Sequence, residues 1–369
     1  MRILLLLFLC SIAFSTVRLN PKILKKKLDE QTPAWMMEQI QSDLAYFGQS
    51  KVTKKDLDAT MDETQAVPGG KNAQLVRFKI VDNKVRWFSY NQFKGDERVS
   101  HLIQFLHELA RHVKLPDIEF IGSLWDCYDH PIFLSKARAP VFTICKLRQN
   151  SIAVLWPETR QLGFKSGVVR AVVEASKHNP WKKKIDKMFW RGNTMGGYYS
   201  NHNWDLKLRP RLLMLSKEHP KDFDVKFTGT YWSDPGIVKW LQDNQYIGDW
   251  SYPPDHLKYK YHLCVDGNSF ASSFYWQLAG NSVIIKNRSS HIEWFYRGVK
   301  DGVHYITFDP DFHDLLDQLQ WLRTHDAEAE AMSQKATAFA KEYINPETIA
   351  LYFYRLFHEY AKLYIGETS

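Results

Sequence analysis

At 369 residues the chain is longer than one hydrophobic core usually serves, so two domains are expected. Its 44% hydrophobic and 24% charged residues, with no long low-complexity tract, exclude a disordered chain. The formal charge of +8 admits an anionic partner such as a nucleotide. No nucleic-acid partner is expected, because the densest basic runs, Lys25 to Lys27 and Lys182 to Lys184, accompany no nucleic-acid-binding module and read as a solvated basic face.

In chain order, Arg2 precedes an unbroken apolar run from Ile3 to Cys10, and Ala13-Phe14-Ser15 supplies a small-x-small cleavage pattern. Residues 1–16 are therefore expected to be a secretory signal peptide, too short for a membrane span. No later segment approaches spanning length, and the ending Gly366-Glu367-Thr368-Ser369 is no ER-retention tetrapeptide. The expected location is the lumen of the secretory pathway, ER or Golgi, or the cell exterior. Without Cys10, the cysteines are Cys127, Cys145 and Cys264. An oxidising compartment then allows one bridge, Cys127–Cys145 being the first to test, and no spacing is of the metal-binding type.

Residues 17 to 65 are polar with helical character. Leu75 to Ile80 and Lys84 to Phe88 alternate around Asp82-Asn83, which predicts a hairpin. From Glu97 to Val113 the apolar residues Val99, Leu102, Ile103, Leu106, Leu109 and Val113 recur at helical spacing, and Leu115-Pro116 stops the helix. His101, His107 and His112 on that helix do not share one face and read as surface histidines. Strand candidates follow at Ile118 to Leu124, Val141 to Ile144 and Ile152 to Leu155.

The run Asn179-Pro180-Trp181-Lys182-Lys183-Lys184 marks a domain junction. Beyond it the spacing predicts a strand at Met188 to Trp190, a helix around Arg209 to Lys217, and a strand at Val225 to Thr228. Next comes Lys258 to Lys286, where an apolar run ends in Asp266-Gly267 and a polar turn leads through an amphipathic segment to a second apolar run, Ser282 to Ile285. Strand, Gly turn, helix and strand form a βαβ unit, whose ligands sit at the carboxyl ends of the strands. A helix start there offers N–H groups to an anion. The last strand is expected at Val303 to Phe308 and a helix at Phe312 to Arg323. Asn345-Pro346-Glu347 then opens a terminal helix whose apolar face is too broad to stay uncovered.

Four stretches could carry chemistry. Trp125-Asp126-Cys127-Tyr128-Asp129-His130-Pro131 follows a strand and offers Asp126 or Asp129 as a general base, though Asp before His-Pro also simply starts a turn. Phe189-Trp190-Arg191-Gly192 ends a strand in an Arg that could clamp a diphosphate. The third is the turn from Asp266 to Ser273. Asp309-Pro310-Asp311 is the fourth, a carboxylate pair that could hold a divalent ion or merely form a turn.

The order of these stretches resembles the Rumi/capsule-associated-protein glycosyltransferases, glycosyltransferase family 90, the group that contains protein O-glucosyltransferases. Between Ile118 and Tyr364 the matching features include Asp129 to Pro131, Ala139-Pro140-Val141-Phe142, Trp156-Pro157, Pro180-Trp181-Lys182-Lys183-Lys184, Phe189-Trp190-Arg191-Gly192, Lys258-Tyr259-Lys260-Tyr261, Asp266-Gly267, Glu293-Trp294-Phe295-Tyr296 and His304-Tyr305-Ile306. The resemblance implies two Rossmann-like α/β domains facing a cleft, a GT-B architecture. Residues 17–178 would form the acceptor side and 179–344 the UDP-sugar side, with the helix in 345–369 packing back across both. It implies inverting transfer of glucose or xylose from a UDP-sugar to a hydroxyl of a protein serine or a glycan, without a metal or other cofactor. Asp129 would be the base, with Asp126 not excluded. Arg191, Gly192, Lys260, Asp266, Gly267, Asn268, Ser269, Phe270, Ser272 and Ser273 would meet the donor. One position departs from the family pattern: Ser273 stands where members carry an Arg. That departure favours the alternative, a non-catalytic secreted carbohydrate- or protein-binding module that kept the fold.

Overall fold

A computed structural model describes residues 18–48, 50–89, 97–158 and 164–366. The expected signal peptide lies outside them. The first half builds a five-stranded sheet from β1 (Leu75–Val81), β2 (Lys84–Phe88), β3 (Ile118–Ser123), β4 (Val141–Thr143) and β5 (Ala153–Leu155), in the order β2-β1-β3-β4-β5. β1 runs antiparallel to both neighbours, whereas β3, β4 and β5 are parallel. The predicted hairpin is β1–β2. Its turn residues Asp82 (φ 50°) and Asn83 (φ 61°) are both left-handed, the two-residue geometry that matches strand twist.

The second half builds an all-parallel sheet from β6 (Ile185–Asn193), β7 (Phe223–Gly229), β8 (Tyr259–Cys264), β9 (Val283–Asn287) and β10 (Ile306–Phe308), in the order β10-β9-β8-β6-β7. Counted from β6 this is the doubly wound order 2-1-3-4-5, whose crevice opens between β6 and β8 at their carboxyl ends. β9 is buried along its whole length, as a sheet covered on both faces requires. The helix expected between β8 and β9 shrinks to one turn, Phe274–Gln277, with all four residues buried. An aromatic run enclosed on every side has no polar face from which to extend an amphipathic helix.

Two cores result. Phe270, Phe274 and Trp276, although they follow β8, pack into the first one together with β1, β3 and the terminal helix Pro346–Ala361. That placement presses the turn after β8 against the first half. The terminal helix starts as predicted, with the Asn345 side chain accepting from the Thr348 N–H at 2.9 Å. Its ring Phe357 lies 5.0 Å from Phe120, and Tyr360 lies 5.3 Å from Phe142. Tyr352 meets Trp294 of the second half at 5.0 Å. Burying each such side chain is worth about 2 kcal/mol, so the end of the chain closes the sheet that its beginning laid down. The expected architecture holds: two α/β units, a cleft between them, and a terminal helix that returns across both. Among the described residues no helix is long and apolar enough to cross a membrane.

Candidate active site

A cleft of about 320 Å³ opens at the β6–β8 crevice. One wall is the end of β6, Trp190 to Asn193, with Met195 and Arg209; a second is Val265 with Gly267 to Ser273. Arg98 and Asp126 reach in from the first half. Of the residues named from sequence, Asp126, Arg191, Gly192, Gly267, Asn268, Ser269, Phe270, Ser272 and Ser273 line this cleft, and Asp129, Lys260 and Asp266 do not.

The floor is held by one guanidinium. Arg209 donates to the carbonyls of Asn193 (2.7 Å), Val265 (3.1 Å) and Asp266 (3.0 Å), joining the carboxyl ends of β6 and β8. Burial pulls its pKa down, while Tyr199 and Asp266 work against that shift. Asn268 locks the two loops together. Its Oδ1 accepts from the N–H groups of Gly196 (2.9 Å) and Gly197 (3.2 Å), whose φ of 107° and 97° only glycine adopts readily.

Asp266 sits beneath the turn. Its carboxylate accepts from Lys286 Nζ at 3.0 Å and Asn287 Nδ2 at 3.1 Å. Burial disfavours the Lys286 charge, yet Asp266 opposes burial strongly enough to leave its pKa above the ordinary value. Beside them Glu293 is driven well above the carboxylate range, first by burial and then by Glu158. The sequence reading saw Glu293 only as part of a family motif.

Arg191 contributes to the β6 wall, but its guanidinium turns back along the strand. It donates to Asp224 Oδ1 (2.7 Å), to the Asp224 carbonyl (3.0 Å) and to the Trp190 carbonyl (2.9 Å), and stacks 4.4 Å from the Phe189 ring. Lys260 lies near the start of β8, at the sheet end opposite the cleft. There its ammonium pairs with Asp326 at 2.5 Å and sits over the Trp181 ring.

The two candidate bases are separated by their surroundings. Asp129 Oδ1 accepts from Asn150 Nδ2 at 2.6 Å, and Oδ2 accepts from the Leu147 N–H at 3.0 Å, with His291 Nε2 3.8 Å away. Its carboxylate therefore ties the turn around 147–150 to the loop after β3. Asp126 Oδ1 accepts from Arg98 Nη2 at 2.8 Å, and its side chain is 30% exposed, open to the cleft. Arg98 was missed in the sequence, where a single Arg near the start of a helix carries no signal.

Among the described residues two groups could hold a metal, each with ligand atoms within 4.8 Å of one another: Cys127, Asp129 and His291, and Asp309, His313 and Asp314. In the first, burial and then Asp129 push the Cys127 thiol up to about 12, which keeps it protonated. In the second, Arg288 pairs with Asp309 at 2.7 Å and already offsets the negative charge. Asp311 pairs with His313 at 2.6 Å. The bridge expected between Cys127 and Cys145 is not formed. Their backbones pair, but both thiols are free, as is Cys264.

The family model described as glycosyl transferase family 90 matches residues 29–367. The chain belongs to glycosyl transferase family 90. Protein O-glucosyltransferase 2 of Danio rerio is 29% identical over 335 residues, 89% of this chain and 62% of its own. Protein O-glucosyltransferase 3 of Homo sapiens is 25% identical over 331 residues, 88% and 61% respectively. The chain thus spans about six tenths of the length of these curated relatives. Among solved structures, Anabaena Alr3699/HepE in complex with UDP and glucose matches 70% of this chain and 75% of its own, with a TM-score of 0.40 and 9% identity. Ser273 is the position where the resemblance leads to the expectation of an Arg. It lines the cleft just before the Phe274–Gln277 turn.

Proposed function

We propose that this family 90 chain is an inverting glycosyltransferase that moves glucose or xylose from a UDP-sugar to a hydroxyl of a protein serine or a glycan in the secretory pathway. The observation that carries the reading is the cleft itself, in which Asp126 shares one cavity with the phosphate-sized turn Gly267 to Ser273. In this reading residues 1–16 direct export, 17–178 present the acceptor and 179–344 hold the donor.

Asp126 takes the proton of the acceptor hydroxyl as its oxygen attacks the anomeric carbon. UDP departs from the opposite face with the bonding electron pair, so the configuration inverts. Backbone N–H groups of the turn, with the positive charge of Arg209 behind them, stabilise the charge that develops on the leaving diphosphate. The reaction is expected to need no metal.

The test is UDP release from UDP-glucose and UDP-xylose, with and without EDTA, by the full chain and by Asp126→Asn. The expected result is release indifferent to EDTA and lowered by about a thousandfold in the variant, the upper part of what a positioned base supplies. Full activity in Asp126→Asn would remove it as the base. Absence of any UDP-sugar binding by calorimetry would instead favour the non-catalytic module, for which Ser273 speaks.

A further inference from the structure

The clamp on Asp126 supports a further step, which rests on reading Asp126 as the base. Arg98 sits in the first turn of the helix Glu97–His112. Its Nη2 donates to Asp126 Oδ1 at 2.8 Å, and its Nη1 donates to the Leu124 carbonyl at 2.6 Å. Leu124 directly follows β3, and its own N–H donates to the Gln74 carbonyl at 3.2 Å, beside β1. One planar guanidinium therefore spans a backbone carbonyl and a carboxylate two residues apart. It fixes the path of the loop and the rotamer of Asp126 together.

Only one oxygen of Asp126 is occupied this way. Among the described residues Oδ2 accepts no protein hydrogen bond, whereas both oxygens of Asp129 are taken. The side chains of Arg98 and Asp126 are 26% and 30% exposed, so water screens the pair only in part. We propose that Arg98 is a positioning residue for the base: it holds Oδ1 so that Oδ2 faces the acceptor hydroxyl and receives its proton. The proton balance closes within the displacement, since Oδ2–H forms as the acceptor O–H breaks and UDP carries away the electron pair. No co-reactant enters. A misplacement of about 1 Å in such an arrangement costs on the order of a hundredfold in rate.

The test uses the full chain, with UDP release from UDP-glucose as readout, comparing Arg98→Met, Arg98→Lys, Asp126→Asn and the double variant Arg98→Met/Asp126→Asn. Arg98→Met is expected to lower kcat about a hundredfold with the KM for UDP-glucose changed by less than about twofold. Arg98→Lys should recover part of the loss, because an ammonium keeps the charge but cannot span both acceptors. The double variant should be no slower than Asp126→Asn alone, since Arg98 acts only through Asp126. The inference is overturned if the two losses multiply, or if Arg98→Met weakens UDP binding and spares kcat. Should Arg98→Met fail to fold, Arg98→Lys in the presence and absence of Asp126→Asn decides the same question. A wild-type rate in Asp126→Asn sinks the underlying reading of the base instead, and is distinguishable because it does not involve Arg98.

Discussion

Asp126 and Asp129 are three residues apart and chemically identical, and their hydrogen-bond partners differ. Asp129 has its two oxygens occupied by Asn150 and Leu147, while Asp126, which lines the cleft, has one oxygen held by Arg98. Removing the Asp129 carboxylate leaves one N–H of the buried Asn150 amide, which still donates to the Tyr128 carbonyl, and the Leu147 backbone N–H without their partner. Asp129→Ala is therefore expected to lower stability by on the order of 3 kcal/mol, read by denaturant unfolding, while UDP binding to the folded protein stays near the wild-type value. The reverse pattern, unchanged stability with lost turnover, would return the role of base to Asp129. The sequence favoured Asp129 through the family resemblance and left Asp126 open, because the partners that distinguish them, Asn150 and Arg98, lie more than twenty positions away.

Elements were more legible than sites, and Asn83 shows both the reach and the limit of the sequence. Asp82-Asn83 between two alternating runs announced a hairpin, and the turn is there. The same Asn83 side chain also binds the next helix: its Nδ2 donates to the Val113 carbonyl at 3.0 Å, and its Oδ1 accepts from the Leu115 N–H at 2.8 Å. Asn83→Gly keeps the left-handed backbone and loses these bonds, whereas Asn83→Ala loses both. Thermal unfolding should therefore place Asn83→Ala lower than Asn83→Gly by about 1 kcal/mol, with both below wild type. Equal destabilisation would mean that the turn carries no backbone strain. The helix missing between β8 and β9 is the complementary failure. Its amphipathic pattern was real but short, and the first core encloses its aromatic residues, which leaves no polar face for a second turn.

The whole molecule buries titratable groups that no local pattern reveals. His256 sits between Phe189 (4.7 Å) and Trp276 (5.1 Å), and burial lowers its pKa to about 4; His262, fully buried, is lowered too. In the unfolded chain both titrate near 6.5. Below pH 6.5 the unfolded state thus binds more protons than the folded one, and stability falls as the pH drops towards 4. For His256 alone the full difference is about 3 kcal/mol. Glu293 works in the opposite sense, since its raised pKa favours the fold at low pH and that contribution fades as the pH rises past the ordinary carboxylate range. Urea midpoints measured from pH 7 to pH 4.5 should decline in the wild type and decline less in His256→Asn. Identical slopes would exclude His256 as a source of acid sensitivity.

The sequence by itself determined the two α/β halves, the hairpin, the strands, the capped terminal helix and the family, because periodicity, turn residues and cap residues are local and survive as ordered text. It also pointed to the turn Asp266 to Ser273 and to the Asp126–Asp129 loop as the places where chemistry would happen. Tertiary structure alone decided which side chains face each other. It brought Asp126 under Arg98 and across from Ser273, turned the Arg191 guanidinium onto Asp224, and left Lys260 at the far end of β8. The physical reason is direction. Spacing along a chain fixes which residues share an element, but a long charged side chain goes wherever its counter-charge lies, and counter-charges come from elsewhere in the fold.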